Sequence, residues 1–354
     1  MRLAIISVTN QGALLGSAVA DTLCNDHQVD VFAKQSRNPL NVTPYESLST
    51  LLPDIFSCYD GFIFIMATGI VVRVIAPYIQ DKRIDPAIVV MDENGQYVIS
   101  LLSGHIGGAN ELATLVGELV GAQPVITTAT DVGKKPAVDM LAVKLNLQIE
   151  PFSQLKYLNA AIVNGDRVNF FIDTSLPNQE LYWQTAEKLG ILLQDIKQIH
   201  TAAYDAAVCI TDQDLSVSKL HLYLKPMPLA VGIGCRRGTT SAEILAAVTD
   251  ACYQIGYRTD SVTMIASTIV KQDEAGLLAV IEQLAVRSHF FVNEQLQQCI
   301  DKHQLEVSNF VKKQIGVGNV CAASAILAGK TNKLLLPKTK YKNVTVAIAP
   351  AKSQ

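Results

Sequence analysis

Neither a C-x-x-C pair nor a histidine pair at zinc-ligand spacing occurs in the 354 residues, and the seven cysteines (24, 58, 209, 235, 252, 299 and 321) are scattered and odd in number. These absences exclude a patterned zinc site and a disulfide framework, and they fit reduced thiols in a cytoplasmic protein. A Walker A loop is missing, and no G-x-G-x-x-G is followed by an acid about 20 residues on. Internal repeats and low-complexity tracts are missing too. Acid is absent after Glu306, whereas eight lysines follow it (312, 313, 330, 333, 338, 340, 342 and 352). A tail of one sign attracts anions, whether nucleic acid, acidic lipid or a polycarboxylate ligand, or it serves only as a solvated face.

What the chain does have is a large apolar share, 49% hydrophobic against 17% charged residues. That is the balance of a compact chain, and its length provides for more than one core. The one long apolar stretch, 61–79, carries Arg73 with Gly69 before it and Pro77 after it. Arginine near a bilayer centre costs about 3 kcal/mol, so a strand, turn and helix are expected there and a membrane span is not. The apolar start stops at Asn10-Gln11, too short for a secretory signal.

Near-continuous aliphatic runs at 3–8, 62–67, 87–91, 97–102 and 124–128 predict strands buried on both faces. Helical spacing covers 12–24, 106–120 and 137–146, and Glu93-Asn94-Gly95 predicts a tight hairpin. The fold class is therefore multi-domain α/β, with mostly parallel sheets. An N-terminal α/β domain is expected over 1–146 and a smaller, irregular middle domain over 147–225. Two prolines at 226 and 228 then open a C-terminal α/β domain over 226–354. In that domain strands are predicted at 229–234, 262–270, 289–292, 333–337 and 344–349, with helices at 241–255, 275–285 and 319–328.

Five segments read as strand ends opening into Gly- or Thr-containing turns: 7–16, 66–73, 101–110, 232–243 and 315–324. Ligands of open α/β sheets bind at carboxyl ends, where helix N-termini favour anions. In "LLSGHIGGANELA" (101–113), His105 is the titrating group suited to general acid–base work. Glu111 is placed to orient or neutralise it. Ser103 is too close in sequence to His105 for a serine–histidine nucleophile pair. The competing reading is that His105 bonds locally and the glycines only permit close packing. Arg236 and Arg237 stand where a helix N-terminus repels cations, so they call for an anion, and each could clamp a carboxylate. Lys271 and Glu274 fall at another strand end. Lys271 suits anion binding or acid–base work, and Glu274 reads as a helix N-terminal acid.

The stretches 66–113, 124–142, 231–244, 271–277 and 343–349 together resemble the CbiG family of anaerobic cobalamin biosynthesis, the cobalt-precorrin-5A hydrolases. One departure stands out: Ala322 in "GVGNVCAASAIL" takes the place of the family's usual Glu. The resemblance implies opening of a substrate δ-lactone by water, with release of acetaldehyde. It implies a corrinoid substrate that carries its own cobalt, no cofactor or metal held by the chain, and other cobalamin-pathway enzymes as partners. Nucleic acid and membrane partners are not expected, and a homodimer is the candidate assembly. On that reading His105 is the general base or acid. The N–H groups of Gly107 and Gly108, with Ser103 or Asn110, hold the oxyanion, and Gly104 makes room for the substrate. Thr68, Arg73, Arg236, Arg237 and Thr239 take substrate carboxylates, with Lys271 in either role. A corrinoid carrier without catalysis is the alternative.

Overall fold

The protein, described here from a computed structural model, is placed over residues 1–133 and 135–351, so Lys352 of the basic tail lies outside the described residues. The chain divides into two compact units, Met1–Lys135 and Pro136–Gln354.

In the first unit β1 (Arg2–Ser7), β2 (Gln28–Lys34), β3 (Thr43–Tyr45), β4 (Gly61–Ile65), β5 (Ala87–Met91), β6 (Tyr97–Leu102) and β7 (Gln123–Val125) form one sheet. Its order is β3-β2-β1-β4-β5-β6-β7. Every neighbouring pair is parallel except β5 with β6. Helices α1 (Asn10–Leu23), α2 (Leu48–Ile55), α3 (Thr68–Ile75) and α4 (Ala109–Val120) flank it, and the short α5 (Ala129–Val132) follows β7. β1 explains why continuous apolar runs are needed. Leu3 and Ile5 pack with Val19 of α1 and Leu112 of α4. Ala4 and Ile6, pointing the other way, meet Leu52 of α2 and Val71 of α3. Each such aliphatic side chain contributes about 1.5–3 kcal/mol on burial.

The reversal at β6 decides where the loops lie. Leu102 pairs with Ile88, and Ala87 pairs with Gly61. The turn after β6 therefore sits beside the amino ends of β4 and β5. The turns after β1 and β4, at 7–16 and 66–73, lie about 16 Å away at the far end of the sheet, given roughly 3.3 Å per strand residue. The hairpin expected at 93–95 is present, and the one antiparallel strand it makes carries its turn to the opposite rim.

The second unit opens with α6 (Val138–Lys144), which packs on β8 (Leu147–Glu150) and α7 (Leu155–Asn164). Its first sheet has the order β10-β9-β11-β12-β8, from β9 (Val168–Ile172), β10 (Leu193–Asp195), β11 (Ala206–Ile210) and β12 (Leu220–Pro226), with α8 (Gln179–Lys188) between β9 and β10. Only β8 runs antiparallel. The middle segment is thus a regular α/β layer, contrary to the irregular one expected. Its second sheet has the order β15-β14-β13-β17-β16, from β13 (Leu229–Cys235), β14 (Val262–Thr268), β15 (Arg287–Phe291), β16 (Leu336–Lys340) and β17 (Val344–Pro350). One face carries α9 (Ser241–Gln254) and α10 (Ala275–Gln283). The other carries α11 (Asn293–His303) and α13 (Cys321–Gly329), while α12 (Asn309–Ile315) precedes the 316–320 loop. The 315–324 turn, read above as a strand end, therefore joins two helices. Buried Tyr182 donates to the Gly256 carbonyl at 2.6 Å, and Arg258 pairs with Asp212 at 2.9 Å, tying the two sheets of this unit together.

The apolar stretch 61–79 divides into β4 and α3, and among the described residues no helix is long and apolar enough to cross a membrane. Ala322 is buried with Cys321 and Ala325 against Ala347 and Ala349. At that position the helix is a packing element.

Candidate active site

Residues 103–108 form a closed turn rather than the start of a helix, so α4 begins at Ala109 and not near 106. Ala109 N donates to Ser103 O at 3.1 Å, Asn110 N to Gly104 O at 3.0 Å, and Gly108 N to His105 O at 3.0 Å. Two positions demand glycine. Gly108 has φ +87°, and a Cβ on Gly107 would lie 2.4 Å from the Ser103 Cβ. Ser103 itself holds φ +59° and its buried Oγ has no hydrogen-bond partner, a local strain of about 1 kcal/mol or more.

The turn presents His105, whose side chain is 9% exposed, to Asp131. His105 Nε2 lies 2.7 Å from Asp131 Oδ2 and 3.3 Å from Thr130 Oγ1. Asp131 reaches it because β7 runs parallel to β6, so both strands end on the same rim. The same carboxylate oxygen accepts from Asn110 Nδ2 at 3.0 Å. Asn110 also donates to Thr128 Oγ1 at 3.0 Å, and its Oδ1 accepts from Ser100 at 2.6 Å. Buried Asn110 is therefore a strut that fixes the acid. With Nε2–H given to Asp131, Nδ1 is the ring nitrogen that carries the lone pair of neutral His105. The carboxylate orients the ring and stabilises the cation formed when that nitrogen takes a proton.

Several expected roles change on this geometry. Gly108 N–H is already bonded to His105 O, and Asn110 is committed to its neighbours, so neither is free for an oxyanion. Gly107 N–H makes no hydrogen bond among the described residues. A Cβ on Gly104 would lie 2.7 Å from Asn110 Oδ1, so that glycine makes room for the strut. Glu111 is exposed on the first turn of α4, and the acid bonded to the His105 Nε2 is Asp131. Thr68 and Arg73 are not brought to His105. Thr68 starts α3 at the other rim, and Arg73 folds back onto Gly69 O at 3.1 Å. Asp131, Thr128, Thr130 and Ser100 were not singled out from the sequence; the polar run 127–131 after a strand is the only local trace of them.

In the second unit the turn after β13 is clamped from below. Glu274 accepts from Gly238 N at 2.6 Å and from Lys271 Nζ at 3.0 Å, both side chains being nearly buried. Thr239 is buried and donates to Arg236 O at 2.7 Å. Lys271 and Thr239 thus hold the turn. Arg237 finds its anion within the chain, Asp273 at 3.2 Å, while Arg236 is exposed and makes no ion pair among the described residues. A cavity of about 640 Å³ opens beside this turn, bounded by β16, β17 and α12. Among the described residues no group of three or more His, Cys, Asp or Glu side chains could hold a metal ion.

Burial pushes the Glu274 carboxyl upward, but the hydrogen bonds from Lys271 and Gly238 and the charges of Lys271 and Arg237 outweigh it and hold it below the usual range. A depressed folded-state pKa contributes stability above the unfolded value, about 4.3, that is lost as pH falls through the folded value. Glu274→Gln should therefore lower the urea midpoint at pH 7, and the gap to wild type should close as pH drops below about 4. A gap unchanged down to pH 3 would contradict this account.

Three family models match the chain: Cobalamin synthesis G N-terminal over 50–131, the Cobalamin biosynthesis central region over 136–226 and Cobalamin synthesis G C-terminus over 229–349. The chain is 30% identical over 357 residues to a cobalt-precorrin-5A hydrolase of Priestia megaterium, covering 98% of this chain and 94% of that protein. It is 36% identical over 304 residues to a cobalt-precorrin-5A hydrolase of Salmonella typhimurium, covering 84% and 83%. A crystal structure of a cobalamin biosynthesis protein G homolog from Sulfolobus solfataricus covers 99% of this chain and 97% of its own at TM-score 0.51 and 22% identity, a likeness of fold. Identity sustained over nearly the full length, with all three sheets accounted for, establishes that the chain belongs to the CbiG family of cobalamin biosynthesis proteins.

Proposed function

We propose that this chain hydrolyses cobalt-precorrin-5A, opening its δ-lactone with water and releasing acetaldehyde to give cobalt-precorrin-5B. The observation that carries the reading is the His105–Asp131 pair, presented by a turn that only glycine can build. His105 takes a proton from water as the oxygen attacks the lactone carbonyl. Asp131 stabilises the imidazolium, and Gly107 N–H is the donor available to the carbonyl oxygen as charge develops on it. Collapse breaks the acyl–oxygen bond and leaves a carboxylic acid, which ionises to solvent, and an alkoxide, to which protonated His105 returns its proton. Loss of the proton from that hydroxyl then expels acetaldehyde as the carbon–carbon bond breaks. The electron pair passes to the macrocycle, which takes up a proton.

Cobalt enters as part of the substrate, and the chain supplies no metal or cofactor of its own. Arg236, Arg237, Thr68 and Arg73 are proposed carboxylate contacts, with Thr68 and Arg73 serving a rim that His105 does not share. The reading also assigns the chain to the cytoplasm, among enzymes that supply and remove the corrinoid.

Anaerobic incubation with cobalt-precorrin-5A should release one acetaldehyde per substrate consumed. Tight binding without acetaldehyde would replace this reading with that of a corrinoid carrier.

A further inference from the structure

The cavity beside the β13 turn lies wholly in the second unit, and its lining contains cations but no acid: Arg236, Arg237, Lys271, Lys338, Lys340 and Lys342. Three of these are answered nearby. Arg237 meets Asp273, Lys271 meets Glu274, and Lys340 lies 4.0 Å from Glu306. Arg236, Lys338 and Lys342 make no ion pair among the described residues, although the Lys342 charge is felt at Glu243. The same lining includes apolar side chains of α12, Phe310, Val311 and Ile315. Phe310 is 67% exposed, and Val270, which also lines the cavity, is 36% exposed. An aromatic ring left in water at a cavity mouth forgoes burial that a flat apolar ligand would restore. The volume falls within the roughly 300–1,000 Å³ range of small-molecule sites.

We infer that this cavity binds a tetrapyrrole polycarboxylate edge-first, its ring against Phe310 and Val311 and its peripheral carboxylates on Arg236, Lys338 and Lys342. The ligand class rests on the corrinoid reading above. The arrangement itself rests on one cavity whose lining joins the apolar residues of α12 to cations and holds no acid. Lys338 lies in β16 and Lys342 in the turn to β17, so both come from the same edge of the sheet. Arg237, already paired with Asp273, contributes less than Arg236.

The probe is uroporphyrin, an octacarboxylate porphyrin, titrated by fluorescence into the full-length chain at low salt. Wild type should bind it, more weakly as salt rises. The double variant Arg236→Ala with Lys338→Ala should raise Kd about tenfold or more, and Phe310→Ala roughly tenfold. Cobinamide, a corrinoid whose carboxylates are amidated, should not compete. Unchanged melting temperatures confirm folding, as expected for side chains that are exposed or half-buried. Kd values unaffected by both variants, or effective competition by cobinamide, overturn the assignment. The two proposals fail separately. Acetaldehyde release with wild-type KM in both variants sinks the cavity and leaves the reaction standing. Porphyrin binding that depends on these residues, without acetaldehyde release by wild type, sinks the reaction and leaves the cavity.

Discussion

Replacing His105 with alanine is expected to lower kcat for acetaldehyde release by about 10²–10⁴-fold while leaving KM within a few-fold of wild type. The split follows from the site. The ring is 9% exposed and held by Asp131 at 2.7 Å, so it is positioned for proton transfer and offers little surface for binding. Asp131→Asn tests the pair separately. An amide cannot stabilise the imidazolium and can favour the wrong tautomer, so kcat should fall by about 10²-fold or more with the fold intact. Asp131 is a positioning residue, acting through the histidine. Its loss should shift the pH profile of kcat as well as the height of that profile. Single-turnover acetaldehyde release across pH measures both. Wild-type turnover by the His105 variant would remove the imidazole from the mechanism altogether.

Gly232→Ala is expected to be the most damaging single methyl in the second unit. A Cβ there would lie 1.9 Å from the Cys321 carbonyl oxygen and 2.7 Å from Ala325 N. Both are backbone atoms of α13, and neither can swing aside as a side-chain tip could. The helix packs on β13 and β17, and its small residues Cys321, Ala322 and Ala325, set against Ala347 and Ala349 of β17, let its backbone approach the sheet. Relief requires lifting the whole helix, which uncovers Val320, Ala323 and Ile326 on its other contacts. Overpacking of side chains alone costs about 1–3 kcal/mol, so a backbone collision should cost at least about 3 kcal/mol, read as a fall in the urea midpoint. Gly238→Ala, at a glycine with φ +73° and open space around it, is the control and should cost about 1 kcal/mol. Equal midpoints for the two variants would mean that α13 is far looser on the sheet than its packing indicates.

The parts of the fold legible in the sequence are those whose cause is local. Continuous apolar runs marked β1, β4, β5 and β6, because a strand covered on both faces leaves no alternation to obscure. The helices α11 and α12 went unread for the opposite reason. In α11 only Leu296, Cys299 and Ile300 are buried, and α12 is too short for its three apolar residues to establish a period. The middle sheet was hidden by strands of three to seven residues, with the polar helix α8 between two of them. At the site, the glycines and His105 were readable because a turn records its own geometry. Asp131 was not, because its approach depends on β7 pairing parallel with β6, 26 residues further along. Arg237 illustrates the same limit: the need for an anion could be argued from its position, but Asp273 as the answer could not.

The reversed strand β6 bears on how relatives are compared. Residues 66–113 read as one unbroken signature, yet they serve two rims of a sheet separated by the length of a strand. An identity score over that block averages two surfaces that answer to different neighbours. A relative that keeps 101–113 and drifts at 66–73 has altered one rim and kept the other. Counting substitutions rim by rim, rather than along the chain, is the comparison that bears on catalysis.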